Sequence, residues 1–259
     1  ERVAELAHLL PVIAIHPQSH ELIAGGPGER RRLLDLGLFH VEQGFHGLWQ
    51  RYRRALSQRN VLLRARAGES QLVPWESELA RSGEALDAMR RRYVDAMAEM
   101  VGVLAPELFG TSIGLTLEYR RGWPEGEALA DSLGRLRGRD IEQRVTGVGP
   151  HRADLLLRMD GRDVRQRVSR GQQKLLVYLL RLAQARQLAQ AGDGGCVLLL
   201  DDLPAELDAE RRWRVMQTAA AVGAQSFVTA LEATSVPMPA DGRCNVFHVE
   251  QGAVREVIQ

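Results

Sequence analysis

The chain has 259 residues, 45% of them hydrophobic and 26% charged, and its 34 Lys and Arg against 33 Asp and Glu leave a formal charge of +1. That balance is the globular average for one large domain or two, and it does not announce a nucleic-acid protein. No signal peptide and no apolar span of about 18 residues occurs, Cys196 and Cys244 stand alone as reduced core thiols, and seven histidines lack metal-ligand spacing, so the residues present argue against secretion, membrane insertion and a disulfide framework, and no structural zinc is expected.

In chain order, a helical turn from Val3 to Leu10 leads into a strand at Val12-Ile13-Ala14-Ile15. Gly25-Gly26-Pro27-Gly28 makes a loop without periodicity, followed by a helix from Glu29 to about His40. Phe45, Leu48, Trp49, Tyr52, Leu56 and Leu63 line one face of a second helix, ended near Gly68. From Pro74 to Leu104 two interleaved seven-residue series run through Leu79, Leu86, Tyr93 and Met100, and through Trp75, Ser82, Met89, Ala96 and Val103. They predict a long helix with a coiled-coil-like seam, begun at Pro74, its first turn favoured by Glu76 and Glu78, and paired antiparallel with the helix before it.

After Leu104 the pattern changes. Ile113, Leu115, Leu117 and Tyr119 alternate as a strand, Gly122-Trp123-Pro124 turns, and a short helix runs from about Glu125 to Arg137. Leu155 to Met159, the Asp160-Gly161 turn and Val164 to Val168 read as a hairpin. A helix from Ser169 to about Gln190, a strand from Cys196 to Leu200, a helix from Asp208 to Val222 and a strand from Ser226 to Ala230 then alternate, which implies a parallel sheet with crossover helices. A terminal hairpin spans Asn245 to Val249 and Val254 to Ile258.

Two stretches of this last third carry chemistry. In Val168-Ser169-Arg170-Gly171-Gln172-Gln173-Lys174 a serine caps a helix, and a glycine two residues on admits close backbone approach. Unsatisfied N–H groups and the positive dipole end then face an anion, for which a triphosphate is the natural guest. Ser-x-Gly-Gln alone is more often a simple helix cap. In Val197-Leu198-Leu199-Leu200-Asp201-Asp202 an apolar run ends in two carboxylates, as a buried central strand ends at the carboxyl edge of a parallel sheet. Asp201 would hold Mg²⁺ and Asp202 would stand beside an attacking water, although the pair also reads as a turn that ends a strand.

Pro204-Ala205-Glu206-Leu207-Asp208 resembles the D-loop of ABC-type ATPases, and Ser169-Arg170-Gly171-Gln172 resembles their signature. Across nearly the whole chain the resemblance is to the RecF family of ATP-binding DNA repair proteins, related to the SMC and Rad50 group. It is also carried by Gly149-Pro150-His151-Arg152-Ala153-Asp154-Leu155, by Arg30-Arg31-Arg32-Leu33-Leu34-Asp35 with Phe39-His40-Val41-Glu42, and by Ala55-Leu56-Ser57-Gln58-Arg59-Asn60. No phosphate loop of the form GxxxxGK followed by Ser or Thr occurs, and Lys174 is the one lysine. The resemblance therefore implies a fragment, with roughly a hundred residues bearing that loop ahead of Glu1.

The fold implied is α/β: the C-terminal lobe of an ABC-type ATPase, built of a parallel sheet with crossover helices and β-hairpins, plus an α-helical arm with an antiparallel helix pair. The expected division is 1–18 as the end of an N-terminal lobe, 19–140 as the arm and 141–259 as the signature-bearing lobe. By the same resemblance, ATP and Mg²⁺ are the cofactors. Ser169, Arg170, Gly171, Gln172 and Lys174 would contact the ATP of a second subunit, Glu206, Leu207 and Asp208 form the D-loop, and Asp201 and Gln18 serve the metal. Asp202 and Thr229 are the catalytic candidates, the latter standing where related ATPases often have a γ-phosphate-sensing histidine; a strand-terminal threonine and a polar loop glutamine are the plainer readings of Thr229 and Gln18.

From Arg120 to Arg170 twelve arginines meet eight acidic residues, and Arg30 to Arg32, Arg51, Arg53, Arg54 and Arg90 to Arg92 add further clusters. His151, Arg152, Arg31, Arg53, Arg54 and Arg91 are thus candidates for phosphate or DNA contact, and solvated helix faces or a surface turn explain them equally well. The family resemblance implies a bacterial cytoplasmic clamp that dimerises with itself around ATP. It would bind double-stranded DNA and single-strand/duplex junctions, work with RecR and RecO, and help load recombinase in repair, replication restart and the SOS response. An SMC- or Rad50-like ATPase and a non-catalytic DNA-binding or interaction module are the alternatives; the short arm argues against an SMC head.

Overall fold

The computed structural model describes residues 10–191, 195–238 and 244–257. Nearly all of the expected Val3–Leu10 turn, and Ile258 of the terminal hairpin, lie outside the described residues. The first elements among the described residues are β1 (Val12–Ile15), a 3-10 turn (Pro17–His20) and the one-turn helix α1 (Glu21–Ala24). Next come α2 (Pro27–Val41), α3 (Phe45–Arg64), α4 (Glu69–Phe109), β2 (Leu115–Arg120), α5 (Leu129–Gln143), β3 (Asp154–Met159) and β4 (Arg162–Asp163). The last third holds α6 (Arg170–Ala191), β5 (Val197–Leu200), α7 (Leu203–Glu206), α8 (Ala209–Val222), β6 (Gln225–Val228) and the hairpin β7 (Val246–Glu250) and β8 (Ala253–Val257). Contacts divide the chain into a unit of Glu1–His20, Val101–Ile113 and Val168–Gln259 and a unit of Glu21–Met100 and Gly114–Arg167. Residues 141–167, read from sequence with the ATPase lobe, pack within the second, helical unit.

In the helical unit α3 and α4 run antiparallel. Arg59 of α3 meets Glu76 of α4, and Tyr52, seven residues earlier, lies against Gly83, seven residues later. A Cβ on Gly83 would fall 2.5 Å from the Leu129 side chain and 3.3 Å from the Tyr52 ring, so glycine permits this approach. The strands order β2-β3-β4, antiparallel, and α2 packs on β3, where Arg30 clasps Asp154 through Nε and Nη2 at 2.8 and 3.1 Å. Arg59 is fully buried. Its Nη1 donates to Asp140 Oδ2 at 2.7 Å and Thr146 Oγ1 at 2.8 Å, and its Nε and Nη2 donate to Glu76.

Several boundaries depart from the sequence reading. Helix α3 ends at Arg64 rather than near Gly68, because Arg66 adopts a left-handed conformation at φ 54° and closes a Schellman pair, Ala67 N to Leu62 O and Arg66 N to Leu63 O. Helix α4 starts at Glu69, which puts Pro74 in its second turn. Leu79, Leu86 and Tyr93 are buried as expected, but Ala96 and Val103 of the second series are exposed, while Val94, Met97, Val101 and Leu104 are buried. A straight helix drifts off a seven-residue repeat, and the buried stripe follows the 3.6-residue period.

Helix α5 starts at Leu129, whose N–H donates to Glu84 Oε1 at 2.8 Å; the cap thus comes from another helix. After the Asp160-Gly161 turn (φ 51° and 76°), β4 lasts two residues and Val164–Gln166 winds as a 3-10 turn where a strand is expected, since Asp163 Oδ1 accepts from Arg165 N.

In the other unit the parallel sheet runs β1-β5-β6, and α6 packs against β1 and α8. Ile13, Ile15, Leu198 and Leu200 are buried on one face; Val12, Leu199 and Phe227 on the other remain 38%, 37% and 53% exposed. Strand β5 is central as expected, yet among the described residues only one of its faces is buried. Cys196 is buried, and Cys244 is exposed rather than a core thiol.

Candidate functional site

The carboxyl ends of β1, β5 and β6 lie side by side because the strands are parallel and in register, with Ile15 opposite Leu200 and Leu200 opposite Val228. Residues just past these ends, far apart in sequence, therefore meet. Asp201 N donates to Ile15 O at 2.8 Å, and Thr229 N to Leu200 O at 3.0 Å. The Thr229 hydroxyl donates to Asp201 Oδ1 at 2.7 Å and accepts from Asp202 N at 2.8 Å. Asp202 takes a left-handed conformation (φ 52°, ψ 42°) that turns the chain directly into α7.

This edge is rich in hard oxygen donors. One Asp201 carboxylate oxygen is bound to Thr229, and the two carboxylates with the threonine suit a small divalent cation better than a soft metal. Among the described residues, no three His, Cys, Asp or Glu side chains converge on one point. A cation here would thus need ligands such as phosphate oxygens and water as well. Gln18 sits in the 3-10 turn after β1, its Oε1 2.9 Å from His16 Nδ1.

Ser169 begins α6 with a reciprocal capping box. Its Oγ accepts from Gln172 N at 3.3 Å, and Gln172 Oε1 accepts from Ser169 N at 2.9 Å. Ser169 and Arg170 are exposed, Gly171 is part-buried, and a Cβ on Gly171 would lie 3.0 Å from the Arg211 guanidinium. The Lys174 ammonium contacts Glu206 Oε2 at 2.9 Å. Leu207 is buried, and Asp208 caps α8 by accepting from Arg211 N at 2.9 Å. The signature-like and D-loop-like segments are thereby linked within one chain.

In the helical unit the arginine candidates divide. Arg91 is held by Asp87 and Glu125, at 3.0 and 2.8 Å, and Arg53 stacks 4.7 Å over the Trp49 ring. Arg31 donates to Ala153 O at 2.8 Å, and Arg152 to Thr146 O at 3.3 Å. Burial and the neighbouring Arg90 lower the pKa of Arg31. His151 is a staple: Nδ1 pairs with the Tyr52 hydroxyl at 2.6 Å and Nε2 with Thr146 O at 3.0 Å. One neutral tautomer satisfies both bonds, and burial lowers its pKa to about 4. Arg54 is exposed.

No protein-family model matches the chain. It is 46% identical over 253 residues to the DNA replication and repair protein RecF of Thioalkalivibrio sulfidiphilus, covering 98% of this chain and 70% of that protein. The RecF of Shewanella halifaxensis is 40% identical over 255 residues, with the same coverage. The chain belongs to the RecF family. Two solved structures of the recombination mediator RecF in the RecFOR pathway share the fold of this RecF-family chain at 25% identity. One, with ATP, has a TM-score of 0.81 and covers 96% of this chain and 68% of that one; the other, with an ATP analogue, has a TM-score of 0.84 and covers 98% and 70%.

Two residues of this RecF-family chain escaped the sequence reading. Arg59 lies within Ala55-Leu56-Ser57-Gln58-Arg59-Asn60, and nothing in a helix face betrays a fully buried arginine whose acidic partners lie 17 and 81 residues away. Tyr178 is the second. One hydroxyl in the aliphatic run Leu175-Leu176-Val177-Tyr178-Leu179-Leu180 was the available signal.

Proposed function

We propose that this chain supplies the arm and the signature-bearing lobe of an ATP-dependent DNA clamp in recombinational repair and replication restart. The observation that carries the reading is Thr229 bridging the Asp201 carboxylate and the Asp202 N–H at the edge of a parallel sheet, on a chain whose α6 opens with an exposed capped serine. The apolar face around Leu199 and Phe227 supports it: a parallel sheet is stable with both faces covered, as by a further, phosphate-loop-bearing layer.

Asp201 would hold Mg²⁺, oriented by the Thr229 hydroxyl, with Gln18 as a further contact. The cation would neutralise phosphate charge. Asp202 would position the attacking water, and the Thr229 hydroxyl, whose one proton is given to Asp201, would reach a terminal phosphate oxygen only by turning that proton away from the carboxylate. Ser169, Arg170, Gly171 and Gln172 offer a helix N-terminus to the nucleotide of a second copy of the chain, while Glu206, Leu207 and Asp208 line the same junction. Lys174 is better placed to brace Glu206 than to reach a phosphate. Arg54, Arg53 and Arg152 are the exposed DNA-contact candidates, Arg53 stacked on Trp49 and Arg152 on the Thr146 carbonyl; Arg31 and Arg91 are half-buried and keep carbonyl and carboxylate partners, and His151 shares the Thr146 carbonyl with Arg152. Double-stranded DNA and junctions, RecR and RecO are the partners, and the cytoplasm is the compartment; among the described residues no helix is long and apolar enough to cross a membrane.

The test uses the full-length protein. Ser169→Arg should abolish ATP-dependent dimerisation in sedimentation while ATP affinity per chain changes little, and Asp202→Asn should slow hydrolysis by about a hundredfold with Mg·ATP binding kept. A Ser169→Arg variant that dimerises like its parent would make the serine a helix cap and nothing more.

A further inference from the structure

Lys174 and Tyr178 stand one turn apart on α6, five and nine residues after the capping Ser169. Lys174 pairs with Glu206 at the end of α7, and Glu206 directly precedes Leu207 and Asp208. Tyr178 is 2% exposed, and its hydroxyl has no hydrogen-bond partner among the described residues. It borders a small, half-open pocket of about 10 Å³ whose lining includes His16, Ser19, Lys174 and Glu206. That volume suits one water molecule, and a buried hydroxyl is rarely left without a partner. Burial, then the carboxylates of Glu206, Asp202 and Asp201, raises the Tyr178 pKa, so the phenol is a donor in a field of acceptors.

We propose that this pocket is a one-water site through which the Tyr178 hydroxyl bonds to Glu206, so that Tyr178, the water, Glu206 and Lys174 couple the signature-type helix to the D-loop-type turn. The proposal rests on the nucleotide reading above. Ser169, Lys174 and Tyr178 share one rigid helix, so a phosphate seated at Ser169 displaces all three together. Lys174 and the water carry that displacement to Glu206, and with it to Leu207, Asp208 and the turn from Asp202. Tyr178 is then a positioning residue that touches neither nucleotide nor metal.

In the full-length protein, Tyr178→Phe keeps the ring and removes the hydroxyl. The thermal midpoint should hold or rise, the KM for ATP should stay, and kcat should fall on the order of tenfold. Lys174→Glu and Glu206→Lys should each lower kcat, and the two together should restore much of it. A crystal structure of the parent should show the water within hydrogen-bond distance of both Tyr178 and Glu206. Unchanged kcat in Tyr178→Phe, or a fall that only tracks lost stability, overturns the proposal. A parent that neither binds nor hydrolyses ATP overturns the nucleotide reading itself, and this coupling with it.

Discussion

The two units spend their charges differently. In the helical unit carboxylates are consumed by structure: Asp140 is 1% and Glu76 6% exposed, both on Arg59, and Asp35 holds Arg90 at 2.7 Å. In the sheet unit Asp201 and Thr229 are exposed at strand ends, and among the described residues Asp201 is bound by a hydroxyl and a backbone contact. Similar residue types thus serve packing in one place and remain open to a ligand in the other. What separates them is whether a second element closes over them.

The largest expected effect comes from opening the buried network. Arg59→Met should lower stability of the helical unit by about 3–5 kcal/mol, because Asp140 loses its cation in a dry site. Denaturant unfolding followed by tryptophan fluorescence reports it cleanly in a Trp213→Phe background, since Trp49, Trp75 and Trp123 all belong to the helical unit. A loss below 1 kcal/mol would mean that water reaches Asp140.

Acid is the next probe. With a folded pKa of about 4 against 6.5 for free histidine, His151 binds its proton more weakly when folded than when unfolded. Its contribution is complete above pH 6.5 and is lost as pH falls toward 4, a loss of about 3 kcal/mol across that window. His151→Gln should flatten the helical unit's stability between those values. A parent profile already flat there would place the imidazole in contact with solvent.

The smallest effect is expected at the sheet edge. Asp201→Asn keeps an oxygen for the Thr229 hydroxyl and should shift stability of the sheet unit by no more than about 0.5 kcal/mol, as exposed substitutions do. Thermal melts read through Trp213 would check it. A shift comparable with that of Arg59→Met would erase the contrast between the two units and make Asp201 a structural carboxylate.

Local chemistry made much of this fold legible. Alternating strands and helices after Ser169 require a parallel sheet, the aspartates at 201 and 202 mark a strand's carboxyl end, and the Asp160-Gly161 pair supplies the positive φ of a tight turn. Ser169 with Gln172 is a capping box that needs no partner from elsewhere. Where local signals misled, a distant group had replaced them. Glu84 begins α5 four residues later than its sequence suggested, and the Asp163 side chain winds a 3-10 turn where a strand was expected.

The sequence by itself therefore determined the order of elements, the sheet type and the two short stretches that could meet a phosphate and a metal, because capping, alternation and turn propensity act within a few residues. Only the tertiary structure decided that Thr229 orients an aspartate 28 residues away, that Lys174 meets Glu206, and that Arg59 and His151 are packing groups. Burial and partner choice are properties of the space between elements. A side chain's charge acquires its role there, when neighbours distant in sequence either exclude water from it or leave it open.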